Sequence, residues 1–123
     1  MGDQEIVKLL IENGADVNAQ GGYYGNALQA ASSMGDQEIV KLLIENGADV
    51  NAQGGVYGNS LQAASSKRHQ EIVKLLIENG ADVNAQGGLY DNALQAASCM
   101  GHQEIVKLLI EKGADDVNAL HTE

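Results

Sequence analysis

Gln4–Gly22 reads QEIVKLLIENGADVNAQGG, and the same stretch returns unchanged at Gln37–Gly55 and Gln70–Gly88. A fourth, slightly altered copy starts at Gln103, so each copy begins 33 residues after the one before it. A fixed period in this range predicts a stacked solenoid, in which each unit contacts only its neighbours. Such an array offers one long repeated surface. A reaction needs several unlike groups gathered in a closed pocket, so the expectation is a binding scaffold and not an enzyme.

The segment from Gly54 to Gln86 shows what one unit contains. Gly54-Gly55 permits positive φ and hence a tight turn. Asn59 stands where a helix N-cap belongs, its side chain able to accept from backbone N–H groups. Ser60–Ser66 follows as a short first helix, with Ala63 and Ala64 small enough to let a neighbouring helix come close. A second helix is predicted from about His69 to Glu78, ended by Asn79-Gly80 in a left-handed stop. Ile72, Val73, Leu75, Leu76 and Ile77 cover one broad face of it and leave Glu71, Lys74 and Glu78 on the other. Helices this short are marginal alone in water, so each pair must be covered by the next. The fold class predicted is an all-α repeat solenoid.

Composition agrees with a single aliphatic stack. The 123 residues make one domain by size, 44% of them are apolar, and Phe, Trp and Pro are absent. No run is long enough to cross a membrane, and no basic-then-apolar leader precedes the first copy. The formal charge of −10 lacks the basic stripe that phosphate backbones require, so nucleic acid is not an expected partner. The single cysteine, Cys99, forms no internal disulfide, which fits a reducing compartment, cytosol or nucleus. Glu45, Glu78 and Glu111 recur at one repeat position and should form a weakly repulsive ladder.

The order turn, short helix, glycine, EIVKLLIENGADVNA closely resembles the ankyrin repeat. The family's T-P-L-H tetrapeptide is replaced by Asn26-Ala27-Leu28-Gln29, Asn59-Ser60-Leu61-Gln62 and Asn92-Ala93-Leu94-Gln95. The replacement is chemically coherent, since Asn can cap as Thr does and Gln can hydrogen-bond as His does. The GNALQAAS wording is similar to the arrays of fungal NACHT-type signalling and incompatibility proteins, and equally to an engineered consensus array. The resemblance implies a helix-turn-helix stack with an outward β-hairpin per repeat, and protein recognition by a concave face of hairpin tips and first helices. It divides the chain into a partial repeat at 1–20, full repeats at 21–53, 54–86 and 87–119, and a tail at 120–123. The alternative function is a structural or engineered array with no specific partner. No cofactor is implied.

Differences between the copies fall mostly in the tips and at the outer ends of the first helices, while the second helices are frozen. The residues expected to meet a protein partner are therefore Tyr23, Tyr24, Ser33, Met34 and Asp36 in the first full repeat. Val56, Tyr57, Ser66, Lys67 and His69 are their equivalents in the second, and Leu89, Tyr90, Asp91, Cys99, Met100 and His102 in the third. Loops carry function but also drift freely, so this pattern has two readings. Tyr24, Tyr57 and Tyr90 never vary; each ring is either an exposed anchor or packing for its own hairpin, and invariance favours packing.

Chemical motifs find little support. His69 and His102 lie one period apart, too few ligands for zinc, and read as surface histidines. Ser65, Ser66, His69 and Asp82 lack the elbow and oxyanion donors of a hydrolase, and the Gly-Gly pairs lack the Lys-Ser/Thr of a phosphate loop. Asn51 with Leu43, and Asn84 with Leu76, resemble targets of asparaginyl hydroxylation in ankyrin proteins, although the same Asn reads first as a structural residue of the hairpin. Met1-Gly2-Asp3 is in register with Met34-Gly35-Asp36, so the array opens on a second helix. With no polar cap at either end, the expectations are a fragment of a longer array, self-association through the uncapped ends, or tolerated fraying.

Overall fold

The computed structural model describes residues 3–114. These form seven helices: α1 Asp3–Glu12, α2 Ala27–Met34, α3 Gln37–Glu45, α4 Ser60–Ser66, α5 Gln70–Glu78, α6 Ala93–Cys99 and α7 Gln103–Glu111. The first helices of the repeats are α2, α4 and α6; the second are α3, α5 and α7, with α1 their unpaired counterpart. None is long and apolar enough to cross a membrane. The expected extra residue at Asp115-Asp116 and the cover from Leu120 lie outside the described residues.

The first helices start where the sequence places them. Asn26, Asn59 and Asn92 hold extended backbone and accept from the N–H groups of Gln29, Gln62 and Gln95 at 2.9, 2.8 and 2.8 Å. The second helices begin one residue later than expected, at Gln70 in the middle repeat, with His69 at the N-cap. Asp36, at the same place in α3, caps it through Oδ1, which accepts from the Ile39 N–H at 3.1 Å.

Packing is uneven across the two layers. Ala63, Ala64, Ala96 and Ala97 are fully buried, and their small side chains bring α2, α4 and α6 into extensive contact. The second helices touch one another only lightly, their larger Ile, Val and Leu side chains filling the space toward their own first helices. The first helices thus pack more extensively along the stack than the second helices do. Leu28, Leu61, Leu76, Ile105 and Leu109 form the buried centre of a continuous core. Ile6, Leu9 and Leu10 of α1 are more than half exposed, since among the described residues no first helix covers them.

Hydrogen bonds from side chains tie each repeat to the next. Asn51 donates from Nδ2 to the Gly80 carbonyl at 2.9 Å and accepts the Asp82 N–H on Oδ1 at 2.7 Å. Asn18 does the same one repeat earlier, toward Gly47 and Asp49. Gln29 is busier. Its Oε1 accepts the Asn26 N–H at 2.9 Å, closing a capping box, while Nε2 donates to the carbonyls of Gly54 (2.7 Å) and Gly58 (3.1 Å) in the following tip. Gln29 therefore serves both its own turn and its neighbour's, whereas Gln62 reaches only the next tip, donating from Nε2 to the Asp91 carbonyl at 3.3 Å.

Candidate protein-binding surface

Each tip is a five-residue turn closed by a single bridge: Gly21 with Gly25, Gly54 with Gly58, and Gly87 with Asp91. The expected hairpin is thus reduced to one bridged pair per repeat among the described residues. The tips are joined to one another along the stack. The Val56 N–H donates to the Tyr23 carbonyl and the Leu89 N–H to the Val56 carbonyl, both at 2.8 Å. Gly55 makes that approach possible. A Cβ there would lie 2.5 Å from the Tyr24 carbonyl carbon and 2.6 Å from its oxygen.

The side chains at the tips lean onto the ends of the first helices. Tyr90 Oη reaches Met100 Sδ at 3.7 Å, and Lys67 Nζ sits over the Tyr57 ring, 5.8 Å from its centroid. Tyr23 packs edge-on against Tyr24 at 4.9 Å and against Tyr57 of the next repeat at 6.5 Å. The hydrogen-bonding Tyr57 hydroxyl holds the Lys67 ammonium above its ordinary pKa range. Tips and helix ends thereby share one face of the stack. Tyr23 (63% exposed), Leu89 (64%), Met34 (70%) and Met100 (48%) are its large apolar side chains open to solvent.

The other residues expected to meet a partner are placed less uniformly. Tyr24 is exposed, Tyr90 and Val56 are half-buried, and Tyr57 is buried at 8% exposure beneath Lys67 and Tyr23. Asp91 and Cys99 are exposed, Cys99 as a free thiol. Ser33 and Ser66 are buried. Next to them, His69 Nε2 bonds the Ser33 carbonyl and His102 Nε2 the Ser66 carbonyl, each at 3.0 Å. Both rings are half-buried and reach back one repeat. Gly35 leaves room for this, since a Cβ there would lie 2.5 Å from Cε1 of the His69 ring. Asp36 is partly buried as the cap of α3. No cluster among the described residues has the donors to hold a metal ion.

Two backbone positions stand out against their copies. Asp91 has φ +80, where Gly25 and Gly58 hold +94 and +88. Gly58 must be glycine because a Cβ would strike Gly87 of the next tip at 2.8 Å. Among the described residues no further tip follows Asp91, so a side chain fits there. Arg68 has φ +67, where Gly35 and Gly101 hold +80 and +77. It borders an open depression of about 250 Å³ with Gly101, His102 and Glu104.

Charge is distributed by position in the repeat. Lys8, Lys41, Lys74 and Lys107 each pair with the Glu three residues earlier, at 3.9, 3.9, 3.5 and 3.7 Å. These are exposed pairs on the outer helices, of small energetic value. Lys67 and Arg68 are adjacent, exposed and without a carboxylate at ion-pair distance among the described residues.

Sequence reasoning did not reach the contacts that join the repeats. It overlooked the Gln29 clamp, the backward reach of the histidines and the conformation of Arg68. The missed signal was that Arg68 alone replaces a glycine found at Gly35 and Gly101. A family model for ankyrin repeats (3 copies) matches residues 1–87 and again 57–121. No curated protein matches the chain.

Proposed function

The chain belongs to the ankyrin repeat family, whose repeats generally mediate protein–protein interaction, and from that premise we propose a recognition scaffold that binds one protein partner on its concave face. The observation that supports the reading is convergence. Tips from successive repeats are hydrogen-bonded into one line, and Tyr57 and Tyr90 meet Lys67 and Met100 at the helix ends. The result is a surface with exposed Met and aromatic side chains on a rigid frame, the composition of a protein-binding patch. The reading is of binding without catalysis, in a reducing compartment that suits the free thiol of Cys99.

The test uses peptides selected from a displayed random library on the intact chain. Met34→Ala, Leu89→Ala and Met100→Ala should each weaken the selected binders about tenfold or more. Melting should hardly move, because these side chains are exposed. Glu45→Ala and Glu78→Ala, on the outer layer, should leave binding unchanged. Binders lost on the outer-layer changes and kept on the others would overturn the reading.

A second reading rests on α1, where Ile6, Leu9 and Leu10 form an exposed apolar strip that their copies in α5 and α7 largely bury. A second copy of the chain is the occupant this reading assigns to the strip. Light scattering should then show mass rising across a tenfold concentration range, and Leu9→Glu should abolish the rise. A constant monomer mass would sink it.

A further inference from the structure

We propose that this face takes an extended protein segment carrying one carboxylate side chain, held by Lys67 and Arg68, with an apolar side chain three residues to either side, seated on Met34 and Met100. The proposal rests on the recognition reading above and names the chemistry of the partner.

The column at the helix ends reads Met34, Lys67, Met100 down the stack, so a cation is bracketed by two exposed apolar side chains. Lys67 is steadied over the Tyr57 ring, and Arg68 follows it directly. The helix lysines already have carboxylates, and among the described residues this pair does not. The rest of the molecule argues for a single anionic anchor. With a formal charge of −10, the chain as a whole repels polyanions. A segment with one acid gains the local attraction without much of the general repulsion, so charge selects both the class of ligand and its register.

Arg68 adds an independent observation. Its αL backbone is unfavourable for a residue with a Cβ, and the copies on either side solve the same turn with glycine. A side chain at a strained position next to the exposed Lys67 points to use.

The spacing follows from geometry. Closely packed helices lie roughly 8–10 Å apart, which sets the pitch of the column. A polyproline II segment advances about 9 Å in three residues and returns its side chain to the same side. A β-strand covers a similar length in three residues, at about 3.3 Å each, but turns that side chain away. The pattern expected is therefore apolar-x-x-acid-x-x-apolar.

The test sequences the peptides selected from the displayed random library and measures synthetic copies of the strongest by fluorescence anisotropy. The expected result is Asp or Glu at one position with apolar residues three away on both sides. Replacing that acid by its amide should weaken binding about tenfold or more. Lys67→Glu should abolish it, and the double change Lys67→Glu with Arg68→Glu should select Lys- or Arg-centred peptides instead. Arg68→Gly should weaken binding while raising Tm by about 4 °C, which separates lost affinity from lost folding. Binders without an acid, or acid-bearing binders indifferent to Lys67→Glu, overturn the proposal. If those binders still fail on Met34→Ala and Met100→Ala, the recognition reading survives; if they ignore every change on this face, both fall. A twin peptide that binds more tightly with phosphoserine at the acid position overturns the assignment to a carboxylate. A library that yields no binder overturns the proposal as well.

Discussion

Gly55→Ala is expected to lower the stability of the array by about 3 kcal/mol or more, whereas Gly22→Ala, the same change one repeat earlier, should cost about 1 kcal/mol. Both glycines hold positive φ, +69 and +74, so the penalty for a left-handed residue is common to the two. They differ in what stands in front of them. A Cβ at Gly22 meets nothing within 4 Å, while at Gly55 it runs into the Tyr24 carbonyl at 2.6 Å. Backbone cannot yield as a side-chain end can. The tip must retreat, and the Val56-to-Tyr23 hydrogen bond at 2.8 Å goes with it. Domains of this kind hold only about 5–15 kcal/mol in total, so the larger loss is a substantial fraction. Urea unfolding of the two variants measures the difference; equal losses would mean that the tips do not constrain each other.

Leu76→Ala should be costlier than Leu10→Ala by about 2–3 kcal/mol. The two leucines sit in identical sequence, Glu-Ile-Val-Lys-Leu-Leu-Ile-Glu-Asn-Gly, so helix propensity and unfolded-state effects are matched. Leu76 is 0% exposed in the core, and removing a buried leucine side chain costs about 2–5 kcal/mol through lost burial and the cavity left behind. Leu10 is 54% exposed and leaves little cavity. The comparison isolates burial with the chemistry held constant, which few proteins permit. A similar loss at both sites would mean that α1 is covered in solution, for instance by a second copy, and would agree with a mass that rises with concentration.

Local elements were legible in the sequence because their causes are local. The asparagine caps act on the residue three positions on, and the Asn-Gly stops act on their own turn, so both can be read in a window of a few residues. The period then fixed the stacking order. What escaped were contacts between repeats. The Gln29-to-Gly58 and His69-to-Ser33 bonds join residues 29 and 36 positions apart, and no property of a single unit announces them. The candidate surface was half legible for the same reason. Variation singled out its residues, but that Ser33 and Ser66 are buried while Met34, Lys67 and Met100 are exposed depends on how each helix end meets the next repeat. Arg68 was the clearest lost opportunity, a residue with a Cβ among glycines.

The unequal packing of the two layers has a mechanical consequence. The inner layer is alanine on alanine, a close-packed contact with almost no free volume, and such contacts resist compression. The outer helices meet lightly, so any flexing of the array is taken up at the back. The inner face then works as a ruler of fixed pitch mounted on a compliant spine. A partner whose side chains miss that pitch cannot be met by stretching the ruler, and mismatch accumulates with every repeat it spans.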